Sequence, residues 1–382
     1  MKTENVSQLV TSCKVSTWGN GEVITIKAGT GVGKSYFIKN TLYKFAQANN
    51  KRILMLIHRL NCTDQFKLEL EKDKKSDIID IKTYQSLENA NKKDFDFSVY
   101  DYIVCDEFHY FLSDSLFNIF TDVSLTLILG QTKSIRIFMS ATGDYMKRYI
   151  NDTRHIKTRD YELPIDFKFI EKLNFYNNDE TVEKLIEEAI EKGDKVIIFI
   201  QFATKAYELY KKYKKHCLFN CGKSDKHYKY VDKDKIKEML INERFEELIL
   251  ITTTCMDAGV NIHDKKVNKI ICDVIDIGVL IQCIGRKRLG NINDKIYLYI
   301  KTINNSQLSG MKTQLKLKVS KADFLRDHTI KEYLKKFIRQ NDYSNIVYAE
   351  SIAEDNKSTH KINELMYFKC KLDIIDIITM LS

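Results

Sequence analysis

The 382-residue sequence contains one proline, Pro164, and one tryptophan. So little proline excludes a proline-rich linker or a polyproline recognition segment. Glycine is also sparse, with 14 residues in all, so a cluster of glycines stands out where it occurs. No apolar run approaches the length needed to cross a bilayer, and residues Met1 to Val10 form no apolar signal region. A protein of the cytoplasm, without membrane contact, is expected. Nine cysteines are scattered without a paired framework, which argues against a disulfide-stapled domain and for reduced thiols. Neither charge is scarce: 61 basic against 52 acidic residues give a net charge of +9. That excess is mild for the length, and it permits nucleic-acid contact without requiring it.

Glycine is concentrated in Ala28-Gly29-Thr30-Gly31-Val32-Gly33-Lys34-Ser35. The stretch follows Val23-Ile24-Thr25-Ile26, an apolar-rich run that predicts a buried strand. It precedes a segment in which Phe37, Ile38, Leu42 and Phe45 keep near-helical spacing. Strand, glycine-rich turn and helix together predict a phosphate loop, although its usual opening glycine is replaced by Ala28. Backbone N–H groups of Gly29, Thr30, Gly31, Val32 and Gly33 would converge on phosphates, reinforced by the positive helix end. Lys34 would add a cation to the β- and γ-phosphates of a nucleoside triphosphate, and the Ser35 hydroxyl would bind Mg²⁺.

The chain then alternates apolar strand-like runs with helical stretches, which predicts a parallel sheet covered on both faces. Strands are expected at 51–59, 99–105 and 135–139, residues 78–87 read as a strand running into a turn, and residues 125–129 read as either a strand or a helix end. A polar passage from Asn151 to Asn177 interrupts the pattern. It resumes with an amphipathic helix over 181–190 and strands at 195–200, 248–252, 269–273 and 296–300. Beyond about Thr302 the signals become helical, as in 329–339 and 361–381. The apolar stretch from Leu372 to Ile378 would pack on the core or on a partner protein.

Cys105-Asp106-Glu107-Phe108-His109 closes one of these strands, at the sheet edge where ligands bind in open α/β folds. An acidic pair after a strand often only caps a helix. Beside a phosphate loop it has a catalytic reading: Asp106 on the Mg²⁺ shell and Glu107 polarising the attacking water. By contrast, His216, Cys217, Cys221 and His227 match structural zinc spacing poorly, and Cys105 and Cys255 read as packing residues.

Asp106-Glu107-Phe108-His109 resembles the DExH box of the superfamily-two DExH/DEAD-like helicases, and further motifs follow in that family's order. Ser140-Ala141-Thr142 resembles the motif coupling nucleotide state to strand handling. Thr252-Thr253-Thr254 through Asp257-Ala258-Gly259-Val260-Asn261-Ile262 resembles the fifth motif, which touches nucleic acid and nucleotide. Gln282-Cys283-Ile284-Gly285-Arg286-Lys287-Arg288 resembles the sixth, whose arginines reach the γ-phosphate. The resemblance spans about residues 23–300.

The resemblance implies two tandem RecA-like P-loop domains of the α/β class, residues 1–165 and 166–302, with a helical C-terminal appendage at 303–382. It implies an ATP-dependent helicase or translocase acting on nucleic acid, DNA in preference to RNA. Asp257 and Gly259 would contact the nucleotide, and Gln282 would orient the water. Arg286 or Arg288 would act as an arginine finger, since Leu289 stands where the family commonly has its second arginine. His109, Ser140 and Thr142 would couple the sites; His58, Arg59, Thr83, Gln85 and Thr253 would grip the nucleic acid. Two other readings stay open: a duplex translocase that does not separate strands, and a weakly hydrolysing, nucleotide-gated subunit that binds nucleic acid or a partner.

Overall fold

Aliphatic and β-branched runs, most of them followed by a helix, build two sheets. The computed structural model describes residues 5–58, 66–67, 70–89, 95–116, 118–256, 260–290, 294–337, 345–352 and 357–382. The chain divides into two compact units. One holds residues up to Ala28, Lys34–Leu163 and Asn304–Ser382; the other holds Gly29–Gly33 and Pro164–Ile303.

The first unit carries six parallel strands: β1 (Val23–Lys27), β2 (Ile53–Ile57), β3 (Ile79–Thr83), β4 (Tyr102–Asp106), β5 (Ile135–Ser140) and β6 (Thr158–Glu162). Their order is β3-β2-β4-β5-β1-β6. β2 and β5 are buried along their whole length, which is why they read as unbroken apolar runs rather than alternating ones. Register pairs Lys27 with Ser140 and Asp106 with Met139, so β1, β5 and β4 end side by side. This alignment positions the site.

The second unit repeats the architecture with β7 (Ile170–Tyr176), β8 (Lys195–Ile200), β9 (Cys217–Asn220), β10 (Ile249–Thr252), β11 (Val267–Asp273) and β12 (Ile296–Lys301). All pairings are parallel, in the order β7-β12-β11-β8-β10-β9. The fold is two RecA-like sheets in tandem with a largely helical C-terminal region.

Two stretches differ from their sequence reading, and at a third the structure decides between two open readings. The polar passage 151–177 contains β6 and β7, one an edge of each sheet, whose partly exposed faces need no apolar run. Residues Thr121–Leu129 are a helix, with Leu125, Ile128 and Leu129 buried at helical spacing. At the C-terminus, the expected helix over 361–381 begins only at Glu364. Lys361 and Ile362 belong instead to β14 (Lys357–Ile362), which pairs antiparallel with β13 (Val347–Ile352).

The helix Glu364–Leu381 is capped by Asn363, whose side chain accepts from the Met366 N–H at 3.1 Å. It buries Leu372 and Ile377 and leaves Ile375, Ile378 and Met380 about half exposed. Leu365 is fully buried and joins the first unit's core beside Phe111, Leu125 and Tyr149, and the Phe368 ring meets Tyr149 edge-on at 5.2 Å. Leu365→Ala is therefore expected to destabilise the protein by about 2–5 kcal/mol, read as a lower denaturant midpoint at unchanged slope. No helix among the described residues is long and apolar enough to cross a membrane.

Candidate nucleotide-hydrolysis site

β1 ends at Lys27 and the chain turns through Gly31 (φ 80°) and Gly33 (φ 88°), left-handed conformations that glycine adopts without the Cβ penalty. Helical backbone begins at Lys34 and runs to residue 48. Its middle, Phe37–Leu42, is wound as a π-helix that buries Phe37, Ile38 and Leu42. The Lys34 ammonium donates to the Ala28 carbonyl at 3.0 Å and lies 3.4 Å from Glu107 Oε1. It thus touches both the loop and the acidic pair. Ser35 is exposed at the helix start.

β4 delivers Asp106 and Glu107 to the same edge. The buried Tyr84 hydroxyl donates to the Asp106 carbonyl at 2.8 Å, and the Tyr84 ring stacks on Tyr110 at 4.9 Å. Asp106 Oδ1 is buried without a hydrogen-bond partner. Burial, and then the neighbouring Glu107 charge, raises the Asp106 carboxyl above the ordinary range. An orphaned buried carboxylate oxygen is costly by itself, and a hard cation is the partner that relieves it, so the donor set fits Mg²⁺. Glu107 has φ 50°, unusual for a non-glycine residue and a form of strain that clusters at functional sites.

From Glu107 a chain of contacts leads away from the acidic pair. Glu107 Oε2 accepts from the Ser140 hydroxyl at 3.4 Å and lies 3.4 Å from His109 Nδ1. His109 Nδ1 and Ser140 Oγ are 2.9 Å apart, and Ser140 Oγ accepts from the Thr142 N–H at 3.0 Å. The three expected coupling residues therefore form one connected group. Next along the chain, Gly143 lies against the buried Phe108 ring, and a Cβ there would sit 2.3 Å from ring atoms. Gly143→Ala is expected to cost about 1–3 kcal/mol through overpacking, visible as a lower melting temperature.

In the second unit, helix Ile277–Ile284 leads into the sixth motif. Arg286 is buried: its Nε donates to the Gln282 carbonyl at 2.9 Å, Nη2 to Gln282 Oε1 at 3.0 Å and Nη1 to the Val260 carbonyl at 3.3 Å. Arg288 is half-buried, with its Nε donating to Asn261 Oδ1 at 2.8 Å. Lys287 is buried and donates to the Arg288 carbonyl at 2.8 Å.

Among the residues expected to grip nucleic acid, His58 Nε2 lies 3.3 Å from Asp114 Oδ2 and its ring sits 4.4 Å from Tyr110. Thr83 caps the helix Tyr84–Asn89 by accepting from the Ser86 N–H at 3.2 Å. Gln85 is half-exposed, and Thr253 is buried with its N–H bonded to the Asn220 carbonyl. Arg59, Asp257 and Gly259 lie outside the described residues. Cys217 and Cys221 pack in an apolar cluster, while His227 pairs with Asp225. The sequence reading did not single out Tyr84, Gly143 or Asn261; nothing in their local pattern announces a partner so distant along the chain.

Residues 178–290 match the model of the helicase conserved C-terminal domain. By sequence, no curated protein matches the chain. Among solved structures, Saccharomyces cerevisiae Dbp5 bound to RNA and ADP BeF3 is similar with TM-score 0.55 and 16% identity, over 78% of this chain and 83% of that one. Mss116p bound to ssRNA and AMP-PNP is similar with TM-score 0.56 and 14% identity, over 88% and 82%. The helicase MrfA bound to DNA and AMPPNP is similar with TM-score 0.53 and 18% identity, over 75% and 47%. Residues 178–290 thus resemble the helicase conserved C-terminal domain, and the chain shares with these solved structures a fold of two RecA-like sheets in tandem.

Proposed function

We propose that the protein is a nucleic-acid-stimulated ATPase that couples hydrolysis to movement on, or unwinding of, its polymer. The observation that carries this reading is the edge of the first sheet, where Lys34, Asp106 and Glu107 converge and Asp106 Oδ1 is buried without a partner. Lys34 leaves Ala28 and Glu107 to contact the β- and γ-phosphates. Ser35 and Asp106 hold Mg²⁺, which supplies charge neutralisation of the phosphate oxygens. Glu107 accepts the proton of the water attacking the γ-phosphorus. Gln282, gripped by Arg286, orients that water, and the fifth-motif residues Asp257 and Gly259 complete the nucleotide contacts. Arg288 is the arginine finger, because Arg286 is buried and committed to Gln282 and Val260.

The track is nucleic acid, gripped by His58, Arg59, Thr83, Gln85 and Thr253. The Dbp5 and Mss116p structures hold RNA and that of MrfA holds DNA. Steady-state ATP hydrolysis with single-stranded DNA, duplex DNA or RNA, using Lys34→Ala as the blank, tests the proposal. Strong stimulation by one polymer establishes a coupled motor and identifies its track, and a strand-displacement assay then separates helicase from translocase. Turnover no greater than the blank with every polymer would remove the motor reading and leave a nucleotide-gated binding subunit.

A further inference from the structure

At the β9 edge of the second sheet, three aromatic rings form a tier that the hydrolysis site does not use. Helix Ala203–Tyr213 contributes Tyr207, and the short 3-10 helix Lys226–Tyr230 contributes His227 and Tyr230. Tyr207 stacks with His227 at 4.8 Å and 29°, and with Tyr230 at 4.5 Å and 21°. The base of the tier is fixed. His227 is buried, and Asp225 Oδ1 accepts its backbone N–H at 2.8 Å and lies 2.8 Å from its Nδ1. Tyr207 also meets the core residue Phe219 edge-on at 5.9 Å. The other end is open, with Tyr230 44% exposed.

A cation lies at that end: Lys229 Nζ sits over the Tyr230 ring, 5.1 Å from its centroid, on a long exposed side chain that a stacking base would displace. Lys211, on the helix that carries Tyr207, is exposed, and Lys223 and Lys226 are exposed close by in sequence. The Tyr230 hydroxyl is held below its ordinary range, first by a hydrogen bond with Tyr207 and then by Lys229 and Lys211. Of the neighbouring acids, Asp225 is engaged by His227 and Asp232 caps the helix Lys233–Asn242, which leaves Glu208 exposed.

A rigidly backed ring with an open edge and a cationic border suits one occupant best. A base stacks on the ring while its phosphates meet the lysines. The lysines repel a cationic ligand, and a duplex conceals the faces of its bases. We propose that Tyr230, backed by Tyr207 and His227 and bordered by Lys229 and Lys211, is a base-stacking site for single-stranded nucleic acid. The proposal rests on the nucleic-acid reading above. It differs from the grip residues there, which hold the backbone, because this contact requires an unstacked base.

The test uses the full chain and single-stranded DNA and RNA oligonucleotides carrying 2-aminopurine at successive positions. Binding is followed by anisotropy and stacking by fluorescence quenching. Tyr230→Phe keeps the ring and is expected to bind and quench like wild type. Tyr230→Leu keeps bulk against Tyr207 without an aromatic face, and is expected to bind about tenfold more weakly and to lose quenching at one position. Lys229→Glu leaves all three rings in place and is expected to weaken binding several-fold with a shallower salt dependence. Wild-type affinity and quenching in both Tyr230→Leu and Lys229→Glu would overturn the stacking site while leaving the motor reading intact. Absence of binding to any single strand by the wild-type chain would likewise overturn the stacking site, and the motor reading would then rest on the duplex arm of the hydrolysis assay. Should Tyr230→Leu fail to fold, quenching by Tyr230→Phe and the Lys229→Glu result decide the matter.

Discussion

Glu107→Gln is expected to reduce kcat for ATP hydrolysis by roughly 10²–10⁴-fold, the usual contribution of a positioned general base. The amide keeps the size of the carboxylate and can still meet the Ser140 hydroxyl, so the local fold is retained. The ion pair with Lys34 is lost. That lysine is then released from a competing anion, and nucleotide affinity should be equal to or tighter than wild type. A fluorescent-nucleotide titration alongside steady-state hydrolysis measures both quantities. A kcat within threefold of wild type would exclude Glu107 as the base; a matched loss of binding and turnover would mark it as a structural partner of Lys34.

The two arginines of the sixth motif should separate cleanly. Arg288→Ala is expected to lower kcat by roughly 10³–10⁵-fold, the range attributed to an arginine finger, with little change in melting temperature. Arg286→Ala is expected to act chiefly on stability. It removes one hydrogen bond from the buried Gln282 amide and the guanidinium donor from the buried Val260 carbonyl, at about 1–3 kcal/mol for a buried group left unsatisfied. At roughly 2–4 °C per kcal/mol for a unit of this size, the melting temperature falls by several degrees. Its effect on turnover follows from the misplaced Gln282. The opposite pattern, normal melting with abolished hydrolysis in Arg286→Ala and near-normal turnover in Arg288→Ala, would exchange the two roles.

The glycine-rich turn and the acidic pair were legible because each is local. A strand, a turn requiring positive φ, and a helix carrying Lys34 lie within one short stretch of sequence, and Asp106 follows directly from an apolar strand. Their meeting follows from parallel topology, since the carboxyl ends of neighbouring strands share an edge. Edge strands other than β3 were not legible: β6 reads Thr-Arg-Asp-Tyr-Glu and exposes much of its surface, so its composition resembles a loop. The helix Thr121–Leu129 was ambiguous because its apolar residues crowd into 125–129, a window too short to show a helical period. Arg286-Lys287-Arg288 could equally have been a basic surface patch. Two of the three side chains are instead buried: the carbonyl groups that hold Arg286 come from a segment some twenty-six residues earlier and from the preceding helix, and Lys287 donates to the carbonyl of Arg288 beside it.

The place of Leu365 also sets an order of events during synthesis. All six strands of the first sheet have emerged by Glu162, yet the side chain that completes their core is about two hundred residues downstream. At translation speeds of about 5–20 residues per second, the nascent first unit waits on the order of 10–40 s with that part of its apolar surface uncovered. The second sheet closes with β12 at Lys301 and needs nothing from beyond it in the described core. The later-made half can therefore mature before the earlier one, and nascent chains stalled between residues 302 and 364 are where a holding chaperone would find its substrate.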